Sequence, residues 1–353
     1  MGASAGEQTF VKFTPDRLKK YKKAGYRIVG KNKHSGVEIC RWTKSVMRGE
    51  RNCYKGVYGI GSHRCVQMTP TLDFCSFSCK FCWRTFGKDR FKSENKWDSP
   101  KEVLDGAIEA QKELLSGWKG NSKTSMKTFV QAMDPVHVAI SLDGEPTLYP
   151  EIAGLIKEIK NRGMTAFLVT NGTMPHRLRE LLQKDAEPTN LYISVYATNP
   201  EDYKKITNSF VPDAFERVLE SLKLMKEFDE SRTIFRMTLV KGLNLKDAEG
   251  FARLIRMAQP KFIEFKGYTW TGESQKRLEK TNMPQMPELE AFAEEIAKLT
   301  GYAIKHRDTT SRVIVFVKDE DTWLWSLKKI AEQNKITAKL DAAKAITRGK
   351  LHG

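Results

Sequence analysis

The sequence predicts an α/β protein built on an open, partial (β/α)6 barrel of the TIM-like kind, with an extension at each end. Three observations predict it. Six apolar runs of strand length alternate with helical patterns through the middle of the chain. Polar motifs stand at the ends of successive runs, on the rim where barrel folds collect their chemistry. No internal repeat divides the 353 residues, a length that suits one barrel-sized domain with extensions.

In chain order, residues 1–66 form a basic lead-in whose stretch 26–44, YRIVGKNKHSGVEICRWTK, reads as short strands and loops. Residues 67–310 make the core, with its first strand starting just before them. Strands are expected at 65–68, 136–141, 166–170, 191–196, 234–240 and 262–265, where apolar runs are bounded by polar or glycine-containing loops. Helices are expected at 103–115, 150–162, 214–227, 248–257 and 287–299, with Pro150 placed in a first turn, where its missing N–H costs nothing. Residues 311–353 add a strand at 312–317 and a Lys- and Ala-rich helical tail.

Composition narrows the function. The chain is 40% hydrophobic and 29% charged, and no apolar run approaches the roughly 20 residues that span a bilayer. The opening MGASAGEQTF has neither a basic nor an apolar leader region, so a cytoplasmic protein with no secretory signal is expected. Sixty Lys and Arg against 43 Asp and Glu leave a net charge of +17, which attracts polyanions and places nucleic acid ahead of a merely solvated basic face. Basic residues are spread along the chain without a lipidation motif, so a membrane partner is not expected.

The six cysteines, Cys40, Cys53, Cys65, Cys75, Cys79 and Cys82, are all confined to the first quarter of the chain. Such clustering reads as metal binding rather than a disulfide framework. The segment TLDFCSFSCKFCWRTFG spells C-x3-C-x2-C at Cys75, Cys79 and Cys82, with Phe81 directly before the last. Three thiolates so close can hold three irons of a cubane and leave the fourth open to a small molecule. Zinc would want a fourth nearby ligand, commonly in paired C-x2-C motifs. Cys40, Cys53 and Cys65 are too widely spaced for one ligand loop. Three chain passes meeting at one point, or three buried structural cysteines, both remain open for them.

The C-x3-C-x-aromatic-C loop resembles the signature of the radical S-adenosylmethionine (SAM) superfamily. That resemblance implies a [4Fe–4S] cluster whose open iron holds SAM and cleaves it reductively. It also implies SAM contacts from Gly144, Glu145 and Pro146 after the second strand, from Thr170 and Asn171 after the third, and from Ser194 on the fourth. Tyr196 occupies a fourth-strand position where an acid is expected. The longer pattern, from CRWTK, CYKGVYGIGSHRC and QMTP through SLDGEPTLYP, FLVTNGT, FRMTLVKGLN and FIEFKGYTWTGESQKRL, is similar to the tRNA 4-demethylwyosine synthase family along nearly the whole chain. Membership would make Cys40, Cys53 and Cys65 ligands of a second [4Fe–4S] cluster.

The resemblance also implies the reaction. A two-carbon unit from pyruvate condenses with N1-methylguanosine beside the anticodon of phenylalanine tRNA and yields the tricyclic base of wybutosine biosynthesis, an activity of the carbon–carbon lyase class. Either of two lysines can activate a ketone as an imine. Lys55 lies two residues past Cys53, and Lys266 ends the sixth strand. The chain lacks the flavodoxin-like domain of the longer members, so an external flavodoxin- or ferredoxin-type donor and a monomeric enzyme are expected. Lys19, Lys20, Lys22, Lys23, residues 88–96 and the C-terminal lysines are candidates for holding phosphates, and Trp83, Arg84, Tyr268 and Trp270 for stacking on bases. Two rival readings are a methylthiotransferase-like tRNA modifier, which would carry a C-terminal β-domain, and a zinc-stabilised RNA-binding protein without catalysis.

Overall fold

The computed structural model describes residues 15–84 and 96–351. Its strands, in chain order, are β1 (Arg27–Val29), β2 (Ser35–Val37), β3 (Cys65–Thr69), β4 (His137–Ile140), β5 (Thr165–Thr170), β6 (Asn190–Val195), β7 (Arg232–Leu239), β8 (Phe262–Gly267), β9 (Ala303–Asp308) and β10 (Val313–Val317). They form one sheet in the order β1-β2-β3-β4-β5-β6-β7-β8-β10-β9. The six expected core strands are β3 to β8, all parallel. β1 and β2 extend one edge antiparallel, and β10 and β9 extend the other. This is an open barrel with a hairpin at each margin.

Local chemistry explains the helices between strands. Helix Pro100–Leu115 starts at a capping box in which Ser99 Oγ accepts from Glu102 N and the Glu102 carboxylate accepts from Ser99 N, and Pro100 needs no donor there. Its buried side chains, Val103, Leu104, Ala107, Ala110, Gln111 and Leu115, recur at helical spacing against the sheet. Pro150 is not in a first turn: helix Ile152–Asn161 has Glu151 as its N-cap, so the proline precedes the cap. Residues 41–47, the first four of them inside the stretch read as short strands and loops, form a short helix with Cys40 as N-cap. Two further helices, Pro175–Gln183 and Pro200–Thr207, lie outside the five helix ranges named from the sequence, in keeping with the expectation that a helical pattern follows each strand.

Alternate side chains of the core strands face inward. Ala139, Phe167, Tyr192, Ile234 and Phe262 do so, together with Val313, Val315 and Val317 of β10. They close around a segment of the N-terminal extension: Tyr54, Tyr58 and Ile60 pack among them. The Tyr58 ring meets Tyr192 and Phe262 edge-on at 6.2 and 5.4 Å. The chain between Cys53 and Cys65 therefore plugs the barrel interior.

Below the plug, the tail is one helix, Glu320–Leu351, and not a β-domain. It is fastened across the N-terminal ends of the strands. Arg232 donates to Ser326 Oγ at 2.7 Å and Ser326 O at 2.8 Å, Gln333 donates to Gly163 O at 2.8 Å, and Arg64 grips Asp341 through two 2.8 Å bonds. Among the described residues, no helix is long and apolar enough to cross a membrane.

A candidate active site of two adjoining cavities

The C-terminal ends of the strands bound two cavities. The smaller, about 170 Å³, is lined by Cys75, Cys79 and Cys82, with Phe81, Gly144, Glu145, Thr170, Asn171 and Ser194 around them. The cysteine loop is held by backbone from several elements. Glu145 N donates to Phe74 O at 2.6 Å, Ser78 N to Thr207 O and Lys80 N to Ile206 O at 2.9 Å, and Phe210 N to Ser76 O at 3.0 Å. Arg277 donates to Lys80 O at 3.1 Å and also to Cys82 O.

Gly144 is required where it stands. Its φ is +70°, and a Cβ there would lie 2.0 Å from Thr71 O and 2.5 Å from Phe74 O. The absent side chain lets the turn after β4 press against the cysteine loop. Glu145, 1% exposed, then ties two strand ends together. Its Oε1 accepts from Thr170 Oγ1 at 2.5 Å, Thr147 Oγ1 at 2.6 Å and Thr147 N at 3.1 Å, and its Oε2 accepts from Asn171 N at 2.7 Å. Burial raises its pKa while these bonds oppose the rise. Asn171 in turn donates to Ser76 Oγ at 2.7 Å, 4.0 Å from Cys75 Sγ. Glu145, Thr170 and Asn171 thus brace the cysteine loop in the structure. Pro146 is buried and opens the short turn that follows.

The larger cavity, about 440 Å³, is lined by Cys40, Cys53 and Cys65, and by both candidate lysines. Three elements deliver the cysteines: the N-cap of helix Arg41–Met47, the N-cap of the turn Tyr54–Tyr58, and the first residue of β3. Burial pushes the Cys53 thiol up to about 12, against the Lys55 charge, and burial likewise pushes Cys65 up to about 12. Thiols in such surroundings stay protonated unless a cation draws the thiolate. Among the described residues no three Cys, His, Asp or Glu close around a single ion.

The two lysines differ. Lys55 Nζ stands 5.0 Å from the Tyr192 ring centre and 6.0 Å from that of Phe167. Among the described residues it has no hydrogen-bond acceptor. Lys266 Nζ donates to Ser311 O at 2.8 Å. Burial lowers the Lys266 pKa to about 8, and Arg236 adds to the effect.

Trp83, Ser141, Leu142, Val169, Ser194 and Tyr196 line both cavities and form their common wall. Tyr196 is buried, is hydrogen bonded to Ser194, and lies with its ring 5.0 Å from that of Phe81. Of the stacking candidates, Trp83 is 43% exposed with the Arg84 guanidinium against its ring at 3.2 Å. Tyr268 is core, its hydroxyl bonded to Ser274 Oγ at 2.8 Å, and Trp270 Nε1 is tied to Leu278 O at 2.8 Å. Lys19, Lys20, Lys22, Lys23, Lys96, Lys339 and Lys344 are exposed, whereas 88–95 lie outside the described residues, as does the side chain of Lys350. Sequence reasoning missed Arg236 and Glu264, whose signal was a charge inside each of two apolar strand runs.

A cysteine loop after the first parallel strand, braced by polar strand ends in an open six-stranded barrel, defines a radical SAM protein. The comparisons agree. The Radical SAM superfamily model matches residues 123–255, and a model described as wyosine base formation matches 257–318. Neither span reaches the cysteine loop. The S-adenosyl-L-methionine-dependent tRNA 4-demethylwyosine synthase of Pyrococcus horikoshii is 44% identical over 305 residues, covering 85% of this chain and 88% of its own. Its counterpart in Oryza sativa subsp. japonica is 40% identical over 292 residues, but these are only 43% of that longer protein. A solved structure of TYW1 with a lysine–pyruvate adduct superposes with a TM-score of 0.78 at 33% identity, over 87% of this chain and 97% of that one. A crystal structure of archaeal TYW1 gives 0.71 at 31% identity, over the same shares. This chain belongs to the tRNA 4-demethylwyosine synthase family.

Proposed function

We propose that this chain is a tRNA 4-demethylwyosine synthase, a radical SAM enzyme of the carbon–carbon lyase class. It condenses a pyruvate-derived two-carbon unit with N1-methylguanosine of phenylalanine tRNA. One observation carries the reading: the three-cysteine loop and the second cysteine trio with its two lysines face each other across one shared wall. In this reading residues 1–66 carry the second set of cluster ligands, 67–310 the SAM-binding core, and 311–353 the closing strand and basic tail.

Cys75, Cys79 and Cys82 would hold the SAM-binding [4Fe–4S] cluster, and Cys40, Cys53 and Cys65 a second one. Phe81, Gly144, Glu145, Pro146, Thr170, Asn171 and Ser194 would shape or contact the SAM pocket. With SAM and its cluster in place, reductive cleavage supplies a 5′-deoxyadenosyl radical that takes hydrogen from the N-methyl group. The electron comes from an external flavodoxin- or ferredoxin-type protein, and the enzyme works as a cytoplasmic monomer. The chain's own part is to present pyruvate. The Lys55 amine attacks the keto carbon, water leaves, and an imine holds the whole pyruvate beside the shared wall; the C1–C2 bond breaks only later, when the carboxyl carbon leaves and the two-carbon unit stays with the base. Two observations support Lys55 over Lys266: its amine has no acceptor among the described residues, whereas Lys266 is tied to Ser311 O. The adduct in the solved relative, by its description between lysine and pyruvate, supports imine chemistry in this family. Lys266, with a pKa near 8, is suited to move a proton during ring closure.

The test is anaerobic incubation with SAM, pyruvate, reductant and N1-methylguanosine-containing tRNA, followed by nucleoside mass analysis. Appearance of the tricyclic base is expected, and its absence despite deoxyadenosine release would refute the substrate assignment. Lys55→Arg keeps the charge but not the nucleophile. It should retain deoxyadenosine formation and lose the tricyclic base; parent-level product would move the imine to Lys266.

A further inference from the structure

Arg236 is a cation on the cavity wall to which the chemistry above gives no task. It sits on β7 at an inward position, in register with Glu264 on β8. A charge inside a barrel is costly unless it is compensated, and here the protein compensates only in part. The nearest carboxylate oxygen, Glu264 Oε1, is 3.6 Å from Arg236 Nε, beyond hydrogen-bonding reach. That oxygen already accepts from Tyr54 OH at 3.0 Å. Among the described residues, neither terminal guanidinium nitrogen donates a hydrogen bond to the protein.

The rest of the wall says which ligand would fit. Arg236 Cζ lies 5.9 Å from the centre of the Tyr192 ring, and Lys55 Nζ lies 5.0 Å from the same centre. An amine and a guanidinium fork sharing one aromatic wall match a molecule with an electrophilic carbon next to a planar oxyanion. That is a 2-oxo acid. Arg41 also lines the cavity but is exposed at its mouth, over the Trp42 ring, where water screens it. Lys266 is engaged by Ser311 O. Arg236 does not line the smaller cavity, so a SAM carboxylate there is not its partner.

We propose that Arg236 binds the carboxylate of the 2-oxo acid through its terminal nitrogens and so presents the keto carbon to Lys55. The inference rests on pyruvate being the substrate of the larger cavity. The Lys55 amine adds to the keto carbon, water leaves, and the carboxylate stays ionised on the guanidinium, so no oxidant or reductant is consumed.

The test compares pyruvate with pyruvamide, its neutral counterpart, on cluster-loaded protein. Each is titrated with cyanoborohydride present, and the reduced lysine adduct is quantified by protein mass. Arg236→Gln alone strands the buried Glu264 carboxylate, so the double variant Arg236→Gln with Glu264→Gln is measured beside it. The parent should prefer pyruvate. In both variants half-saturating pyruvate should rise about 10- to 150-fold, the loss expected for a charged hydrogen bond. Pyruvamide trapping should hold within about threefold, well short of a charged-bond loss. An unchanged preference for pyruvate would overturn the assignment and leave carboxylate recognition to another group, such as a cluster iron. Equal loss of both ligands at intact iron content would make Arg236 a general support of the pocket and also overturn it. A parent that traps pyruvate at no lysine would instead overturn the substrate reading itself, and this inference with it.

Discussion

Lowering the pH from 7 to 5 should loosen the plug, through His137. This side chain is 6% exposed on β4 beneath the plug. Its Nδ1 is 2.7 Å from Thr165 Oγ1, and its Nε2 is 3.3 Å from Gly61 N. A backbone N–H can only donate, so Nε2 must be the acceptor and Nδ1 the protonated nitrogen. Protonating Nε2 would set two donors against each other in a dry site. Burial, with the nearby charges of Arg64 and His63, accordingly lowers the His137 pKa to about 3. Unfolded, the same imidazole titrates near 6.5. Between those values the unfolded state binds the extra proton, so stability is full above about pH 6.5 and is lost as the pH falls towards 3. At pH 5 the loss works out at about 2 kcal/mol. The assay is urea unfolding of cluster-free protein at pH 7 and pH 5, for the parent and for His137→Gln, which keeps a donor and an acceptor but does not titrate. The parent's loss between the two pH values should exceed the variant's by about 2 kcal/mol. Equal losses would refute the reasoning, because other titrating groups cancel in the difference.

Changing Cys75, Cys79 or Cys82 to Ala should abolish deoxyadenosine formation, and retained SAM cleavage in any one would sink the assignment of that loop. Replacing Cys40, Cys53 and Cys65 together should roughly halve bound iron, from two cubanes towards one, and stop product formation; iron and sulfide analysis decides it, and unchanged iron would rule out a second cluster. Gly144→Ala forces a Cβ to 2.0 Å from Thr71 O at a φ of +70°. It should lower thermal stability by at least about 1 kcal/mol and reduce iron loading at the three-cysteine loop; a variant with parent melting temperature and iron content would show that the turn yields cheaply.

The six parallel strands were legible because each is apolar for most of its length and is bounded by turn residues. β9 was not. Its residues AIKHRD are mostly polar, and its burial follows the pattern of an edge with one face in water. Helices Pro175–Gln183 and Pro200–Thr207 are only nine and eight residues long and polar on average, so each offers few apolar positions from which to read a helix. The cysteine loop was readable as a local motif, since its ligands lie within a few residues of one another. The coming together of Cys40, Cys53 and Cys65 depends on long-range packing, and so does the pairing of Arg236 with Glu264. Strand neighbours set that pairing, and a single chain does not display its neighbours. Glu145 shows the same limit from the other side. Its motif was visible, but its task of joining β4 to β5 through Thr170 and Asn171 emerges only from the hydrogen bonds.

The plug also sets a timetable for the molecule as it is made. Tyr54, Tyr58 and Ile60 leave the ribosome early, yet the walls that receive them include Tyr192, Phe262 and residues 313–317, which come last. Chains emerge at about 5–20 residues per second, so the upstream cysteines spend on the order of ten seconds or more without their final surroundings. The set of residues that line their shared cavity is complete only once Lys266, on β8, has been made. The lower strand ends seal later still, when the C-terminal helix bonds to Arg232 and Arg64. A ribosome that stalls before residue 266 therefore holds a nascent chain with all six cysteines synthesised and the pocket for the upstream three not yet complete.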